Sequence, residues 1–342
     1  MKLKISKEII ISDSSRTLLV AEISANHCGS RKRFFEHIIK AKKFGADLVK
    51  IQTYEENDIS ANLRNLNKNY KLKNNFDIYK KSKTNFSWHK EAFDLAKKKK
   101  IILFSSPFSI RSVNLLESLN CPIYKIASLE MTDYSLIERI AKTKKPIIIS
   151  TGASYINEVQ KTLKVINKYH NRIIILYCRS TYPLKEEDSN LSIIQNFKKK
   201  FNKNFIGYSD HTKDNITSLI ASNLGAKIIE KHFIIDQKKT YDSSFSIKPN
   251  QLLKLKNDLI KNHEIIGHKK HYLLKDEKNK RKYRRSLFAI RDIKVGEKFT
   301  EKNIVSLRPK IGVCASKYLR LLNKKSKRRY LKNHPINQNE IL

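Results

Sequence analysis

The sequence contains eight short apolar runs rich in β-branched residues, and a longer segment with helical periodicity follows each of them. The runs predict strands at 18–24, 46–54, 102–108, 123–128, 146–151, 173–179, 204–210 and 227–233. The segments after them predict helices near 34–44, 88–99, 110–119, 133–143, 155–169, 191–201, 215–224 and 249–262. Apolar strands that alternate with helices are typical of a parallel sheet that is covered on both faces.

Eight strand–helix units within about 250 residues predict a closed (β/α)8 TIM barrel in an α/β chain. The competing arrangement is an open, doubly wound sheet. A dinucleotide-binding sheet of that kind carries GxGxxG after its first strand. The sequence at this point is NHCGS, which does not match that pattern. We therefore predict a catalytic barrel over residues 1–267.

The pattern changes after the eighth unit. A charged connector is predicted at 268–283, and short alternating runs with a turn at Gly296 follow it over 284–342. These runs predict a small, mostly β C-terminal domain. Within the barrel, one longer connection at 55–86 is rich in Asn, Lys and Tyr, and we predict that it is a lid or a mobile loop.

The net charge of +39 raises the alternative of a nucleic-acid-binding protein without enzymatic activity. However, the lysines are spread over all the predicted helices, and many of them close a helix, where they suit its negative end. The one local cluster is KKSKRRYLKNH at 324–334. We therefore predict no nucleic-acid partner, although the field of the whole chain favours anionic substrates.

The sequence also predicts the cellular compartment of the protein and the state of its cysteines. No run reaches the roughly 18 apolar residues of a membrane helix, and the first residues lack the pattern of a signal peptide. The cysteines form no CxxC pair, which predicts reduced, mostly packed thiols in a cytoplasmic protein without a membrane partner. They are Cys28, Cys121, Cys178 and Cys314.

Polar side chains stand where each of the eight predicted strands ends, and isolated surface loops explain this poorly. In (β/α)8 barrels the active site lies at the carboxyl ends of the strands. The side chains are Glu22, Ser24, Lys50, Gln52, Ser105, Ser106, Lys125, Ser128, Glu130, Ser150, Thr151, Arg179, Ser180, Tyr182, Ser209, His211 and His232. This pattern predicts one active site in the barrel mouth.

The lysines and glutamates of this set have distinct chemical uses. Two ammonium groups, Lys50 and Lys125, surrounded by hydroxyls suit a phosphate or a carboxylate. The alternative is a structural salt bridge with Glu22 or Glu130. Those two glutamates are candidates for acid–base work or for orienting a hydroxyl group.

The two histidines come from neighbouring strand ends. His211 and His232 can together hold one divalent metal and leave positions open for water and substrate. The alternative is a pair of hydrogen-bonded structural histidines. Asp210 precedes the first of them, and it either orients that ring or caps the helix that follows.

A set of motifs in chain order resembles the sialic-acid synthase family, whose members condense phosphoenolpyruvate with an N-acylated sugar. The motifs are AEISANHCGS, KIQTY, SSPF, YKIAS, STG, YSDHT, EKHF and YDSSFSIKP. The later stretch RRSLFAIRDIKVGEKFTEKNIVSLRP resembles the SAF (antifreeze-like) domain of that family. The resemblance implies a transferase that forms a carbon–carbon bond and needs Mn²⁺ or Mg²⁺.

The resemblance also implies roles for individual residues. It makes His211 and His232 the metal ligands, and Arg308 an arginine that the SAF domain lends to a partner subunit in a domain-swapped homodimer. It places phosphoenolpyruvate near Lys50, Lys125, Ser128, Ser150, Ser180 and Ser209. It places the acceptor sugar and the acid–base chemistry near Glu22, Gln52, Glu130, Tyr182 and Asp242, and Ser106 is also predicted to bind substrate.

Within the family, the residues of the motifs resemble those of the branch that makes pseudaminic acid. SANHCGS, SSPF, KIASLE and DSSFS carry this likeness, and they imply 2,4-diacetamido-2,4,6-trideoxy-L-altrose as the acceptor. The alternatives are the branches that make N-acetylneuraminic or legionaminic acid. The chain departs from the family at Cys28, where an Asn is usual, in the loop DQKKTYD, and in RPKIG.

Overall fold

A computed structural model describes residues 1–6, 8–62, 75–267 and 270–340. The chain divides into two compact units, residues 1–267 and 268–342. Part of the predicted lid or mobile loop, residues 63–74, lies outside the described residues. None of the described helices is both long enough and apolar enough to cross a bilayer.

The first unit is a closed barrel of eight parallel strands that follow chain order around the barrel. A small antiparallel pair, β1 (Lys2–Lys4) and β2 (Ile10–Ser12), precedes it. The barrel strands are β3 (Leu18–Glu22), β4 (Leu48–Thr53), β5 (Ile102–Pro107), β6 (Tyr124–Ile126), β7 (Ile147–Ser150), β8 (Ile173–Cys178), β9 (Phe205–Asp210) and β10 (Ile228–His232). Because β10 pairs with β3, the sheet has no open edge, and the predicted TIM barrel is confirmed.

Helices follow the strands as the apolar periodicity predicts. They are α1 (Arg31–Lys43), α2 (Glu56–Ile59), α3 (Phe76–Ser82), α4 (Phe86–Lys98), α5 (Ile110–Ser118), α6 (Tyr134–Ala141), α7 (Ile156–Asn167), α8 (Ile193–Lys200), α9 (Ile216–Asn223) and α10 (Pro249–Ile266). Side-chain oxygens cap several starts: Ser30, Ser109 and Asp133 each accept a hydrogen bond from a backbone N–H of the first turn. Lysines close α1, α4 and α8, where they suit the helix dipole.

The barrel strands are buried on both faces, which is why they are nearly continuous apolar runs. Residues Ile147, Ile148 and Ile149 of β7 are fully buried, and β8 and β9 are buried along their whole lengths. Polar side chains appear where these runs end, so the sequence pattern and the carboxyl rim of the barrel coincide.

The second unit has its own small core, formed by Leu287, Ala289, Ile293, Phe299, Ile304, Val313, Leu321, Tyr330 and Ile336. It contains α11 (Lys275–Lys280), the antiparallel strands β11 (Ser286–Ala289) and β12 (Ile304–Leu307), and α12 (Tyr318–Leu321). The segment predicted as a connector is therefore partly helical. The predicted turn is present at Gly296, whose φ of 79° favours glycine.

Candidate active site

Two lysines and two glutamates form a buried ionic cluster inside the barrel. Lys50 Nζ lies 3.1 Å from Glu22 Oε2 and 3.1 Å from Glu230 Oε1. Lys125 Nζ lies 3.7 Å from the same Glu230 oxygen. The salt bridge between Lys50 and Glu22, which was predicted as an alternative, is therefore present. Glu230, which lies near both lysines, was not predicted from the sequence. The signal for Glu230 was its position two residues before His232, on the same face of its strand.

Burial and mutual charge set the protonation of this cluster. Burial alone would raise the pKa of Glu230, but the charges of Lys125 and Lys50 lower it to about 2. Burial lowers the pKa of Lys125 to about 8 and raises the pKa of Glu22. The pKa of Lys50 is raised because Glu22 and Glu230 outweigh its burial. Near neutral pH the cluster therefore presents two ammonium groups against a firmly ionised Glu230.

Buried serines lie on strands that neighbour those of the cluster. The side chains of Ser106, Ser150 and Ser209 are buried. The hydroxyls of Ser106 and Ser150 have no hydrogen-bond partner within the part of the chain that the structure describes. Ser209 donates to Glu230 Oε1 over 3.2 Å. Buried hydroxyls without partners are costly, so these two are suited to the oxygens of a bound anion.

Gly152 leaves room for a second group of hydroxyls. Its backbone N–H donates to Ser128 Oγ at 3.1 Å. A Cβ at this position would lie 2.1 Å from Ser180 Oγ, 2.8 Å from Ser128 Oγ and 3.1 Å from Cys178 Sγ. The glycine of STG is therefore required by the close approach of these three side chains. Cys178 is buried, as predicted, whereas Cys28 is only partly buried.

The rings of His211 and His232 meet edge to face, with centroids 5.4 Å apart and an angle of 65° between their planes. His211 Nδ1 lies 2.8 Å from the carbonyl oxygen of Arg179, so its N–H donates there and Nε2 is left as an acceptor. His232 Nδ1 lies 3.5 Å from Asp242 Oδ2, and it has no hydrogen-bond partner among the described residues. The pair is thus neither a mutually bonded pair nor a fully satisfied structural one.

These two rings fit a divalent metal ion that keeps open positions. Among the described residues no hydrogen bond involves Nε2 of either ring, and neutral imidazole nitrogens are common metal ligands. The described residues contain no group of three or more His, Cys, Asp or Glu side chains that could hold an ion by themselves. Water and substrate would therefore supply the remaining ligands.

The side chains around the histidines complete the mouth. The ring of Tyr182 lies 4.2 Å from that of His211, and the ring of Phe245 lies 4.8 Å from that of His232, centroid to centroid. Asp242 accepts a hydrogen bond from the backbone N–H of Ala25, so the loop after β10 is tied to the end of β3. Tyr182 is half exposed and can contact a substrate.

The other predicted residues have definite places. Gln52 Nε2 donates to Ser24 Oγ at 3.1 Å, at the ends of β4 and β3. Glu130 is partly buried, and burial raises its pKa to about 7. Asp210 accepts hydrogen bonds from the hydroxyls of Thr217 and Ser218 in α9, and it forms no hydrogen bond with His211 among the described residues. This favours its predicted role at the start of that helix over its role in orienting the ring. Arg308 is exposed on the second unit, and its role in a partner subunit stays a prediction.

Comparisons with known proteins show the family of this chain. Residues 37–271 match the NeuB family, and residues 284–342 match the SAF domain. A pseudaminic acid synthase of Helicobacter pylori is 38% identical and aligns over 94% of this chain and 97% of its own. An N,N'-diacetyllegionaminic acid synthase of Campylobacter jejuni is 34% identical over 94% of this chain and 99% of its own.

A solved structure gives the same result for the fold. The N-acetylneuraminic acid synthetase of Leptospira borgpetersenii superposes with a TM-score of 0.74 at 28% identity, over 82% of this chain and 95% of its own. The barrel and the relatives together define an enzyme, a transferase of the nonulosonic acid synthase class. The chain belongs to the NeuB family and carries a C-terminal SAF domain. The resemblance stated from the motifs is confirmed.

Proposed function

We propose that this enzyme is a pseudaminic acid synthase. It condenses phosphoenolpyruvate with 2,4-diacetamido-2,4,6-trideoxy-L-altrose and releases pseudaminic acid and phosphate. The observation that carries the proposal is the layered mouth of the barrel. Glu230 of the ionic cluster stands two residues before His232, and its neighbour Ser209 stands two residues before His211. The anion-binding layer therefore lies one step below the histidine layer.

The lower layer is suited to phosphoenolpyruvate. Its phosphate and carboxylate would accept charge-assisted hydrogen bonds from Lys50 and Lys125. Hydroxyls of the surrounding serines would take further oxygens; they come from Ser106, Ser128, Ser150, Ser180 and Ser209. The ammonium groups are already buried and held by Glu230, so little reorganisation accompanies binding.

The upper layer is suited to the acceptor sugar. His211 and His232 would hold Mn²⁺ or Mg²⁺, which supplies Lewis-acid polarisation of the acceptor's aldehyde. Tyr182, Gln52 and Asp242 line the same space and would orient the acceptor. Carbon C3 of phosphoenolpyruvate attacks the aldehyde carbon, and the new bond places the sugar directly above the lower layer.

The remaining step needs a water at C2. The π electrons that form the new C–C bond leave C2 cationic, and the former aldehyde oxygen becomes a hydroxyl by taking a proton from solvent. A water adds to C2 and gives one proton to a carboxylate. The tetrahedral intermediate then loses phosphate by cleavage of the C2–O bond, the remaining proton of its new hydroxyl leaves with the phosphate, and C2 becomes a ketone. A base is most effective when its pKa is close to the working pH. Glu130, whose pKa is raised to about 7 by burial, meets this condition. Glu22 faces Lys50, and we assign it to orienting the water.

The acceptor is proposed from the relatives and from the residues of the motifs. The Helicobacter pylori pseudaminic acid synthase aligns over nearly the whole chain, and the legionaminic acid synthase is the alternative. We take Ser24, Ala25, Leu129 and Ser243–Ser246 to distinguish the branches. Two of them lie in loops that are bonded together: the backbone N–H of Ala25 donates to Asp242, and Ser246 Oγ accepts from Asn26 at 2.8 Å. Leu129 stands exposed at the rim, where a substituent of the sugar would pass.

The test is phosphate release from phosphoenolpyruvate by metal-stripped protein with added Mn²⁺. Three acceptors are compared: the diacetamido-trideoxy-altrose, its legionaminate-pathway counterpart, and N-acetylmannosamine. Release with the altrose sugar alone supports both reaction and branch. Release with another acceptor keeps the reaction and overturns the branch, and no release with any acceptor overturns the proposal. We place this reaction in the cytoplasm, as a step in making cell-surface polysaccharides.

A further inference from the structure

A fully buried ion pair lies immediately behind the two histidines. Lys231 Nζ and Asp210 Oδ2 are 2.8 Å apart, and neither side chain is exposed. The two residues face each other in the parallel register of β9 and β10. Each precedes a histidine by one position, and successive side chains of a strand point to opposite faces. The pair therefore lies on the helix side of the barrel wall, while His211 and His232 belong to the mouth.

The ammonium group of Lys231 forms hydrogen bonds to the residues that follow His211. Besides Asp210, it donates to the carbonyl oxygen of Thr212 at 2.8 Å, to Thr212 Oγ1 at 3.1 Å, and to the carbonyl oxygen of Asp214 at 2.6 Å. One side chain from β10 thus fixes residues 212–214, which continue β9. Movement of one histidine-bearing segment against the other would break these bonds.

The carboxylate of Asp210 is equally satisfied. It accepts from the backbone N–H and the hydroxyl of Thr212, both at 2.9 Å. It also accepts from the hydroxyls of Thr217 and Ser218 in α9, at 2.9 and 2.5 Å. The end of β9 is therefore locked both to β10 and to the start of the following helix.

The two histidine rings depend to different degrees on the Asp210–Lys231 ion pair and its hydrogen bonds. His211 has an anchor of its own, the carbonyl oxygen of Arg179. His232 Nδ1 has only the carboxylate of Asp242 nearby, at 3.5 Å and in the loop that follows β10, so the position of its ring depends on the backbone of β10. We infer that Asp210 and Lys231 are positioning residues that set the separation of the two histidines and thereby the affinity for the metal. This inference rests on the metal-binding role proposed for His211 and His232.

The experiment separates positioning from stability. The variants are Asp210→Asn, Lys231→Met and the double variant. Each single variant leaves a buried charge unpaired and lowers the unfolding temperature, and the double variant recovers part of that loss because no charge remains. We expect the folded double variant to bind Mn²⁺ about 10- to 100-fold more weakly, the usual effect of losing groups that orient metal ligands.

Mn²⁺ affinity is measured by electron paramagnetic resonance of the free ion, per folded molecule. The KM for phosphoenolpyruvate should stay unchanged, since Lys50 and Lys125 are untouched. A folded double variant with the affinity of the wild type overturns the inference. Wild-type protein that binds no divalent ion overturns the metal assignment itself, and with it the inference.

A milder pair of variants keeps the test valid if the double variant does not fold. Ser218→Ala removes one hydroxyl from Asp210, and Thr162→Val removes a buried hydroxyl that donates to the carbonyl oxygen of Met131 in another part of the barrel. We expect a several-fold loss of Mn²⁺ affinity in Ser218→Ala and none in Thr162→Val. Equal affinities in the two variants would overturn the inference.

Discussion

The carboxylate of Glu230 lies 3.1 Å from the ammonium of Lys50, and both side chains are at most 5% exposed. The same oxygen lies 3.7 Å from Lys125 Nζ. Glu230 is therefore the counter-ion of both cations that we assign to phosphoenolpyruvate. Glu230 favours the charged form of both lysines inside the barrel. A bound anion would interact with the same two ammonium groups.

Glu230→Gln should destabilise the enzyme without substrate by about 3 kcal/mol, because two buried ammonium groups lose their common counter-ion. Phosphoenolpyruvate should then raise the unfolding temperature more in the variant than in the wild type, since the ligand replaces the missing charge. Thermal unfolding with and without the ligand measures this. Glu138→Gln is the control, because Glu138 forms an exposed pair with Lys142. Equal ligand effects in wild type and Glu230→Gln would contradict the assignment.

Lys50→Met and Lys125→Met should each raise the KM for phosphoenolpyruvate by about 100-fold, because a charge-assisted hydrogen bond to a buried anion contributes roughly 1.5–3 kcal/mol. The KM for the acceptor should change little. Steady-state kinetics with each substrate varied in turn measures the difference. Lys142→Met, at an exposed position, should behave like the wild type. Loss of acceptor affinity alone would place the anion elsewhere.

His211→Ala and His232→Ala should each abolish turnover and leave the fold intact, because either change removes one of the two imidazoles that we assign to the metal, whose centroids are 5.4 Å apart. Phosphate release and circular dichroism measure the two properties. The contrary result is metal-dependent activity in both variants, which would exclude the metal assignment. Normal activity that no longer needs a metal would exclude it too.

The pH profile of kcat/KM for phosphoenolpyruvate should be bell-shaped. Burial raises the pKa of Glu130 to about 7, so the base is protonated and lost as the pH falls below that value. Burial lowers the pKa of Lys125 to about 8, so the anion-binding cation is lost as the pH rises above it. Glu130→Gln should remove the acidic limb together with most of the activity. An acidic limb that persists in this variant would assign the base to another group.

Gly152→Ala should raise the KM for phosphoenolpyruvate because the added methyl group displaces Ser180 and Ser128. An increase of about tenfold corresponds to the loss of roughly one hydrogen bond to a charged group. Kinetics of this variant beside Ser128→Ala measure the effect. An unchanged KM in Gly152→Ala would mean that these hydroxyls do not bind the anion.

The barrel and its polar rim could be predicted from the sequence because both depend on local patterns. β-Branched runs such as Ile147–Ser150 are buried on both faces wherever a parallel sheet is enclosed by helices, so their composition alone reveals them. The change from apolar to polar residues at each strand end identified the rim in the same way. It also brought His211 and His232 forward as a pair, since consecutive strands of such a barrel are neighbours.

The partners within the site could not be predicted, because they depend on register and on which face a side chain takes. The sequence allowed several carboxylates as partners of Lys50. Glu230 is close to it only because β10 packs between β3 and β9. Asp210 adjoins His211 in the sequence, yet the alternation of the strand sends it to the opposite face, where it meets Lys231. Sequence determined which residues reach the rim, since that follows from hydrophobic periodicity. Tertiary structure decided which of them touch, since that depends on contacts between strands far apart in the chain.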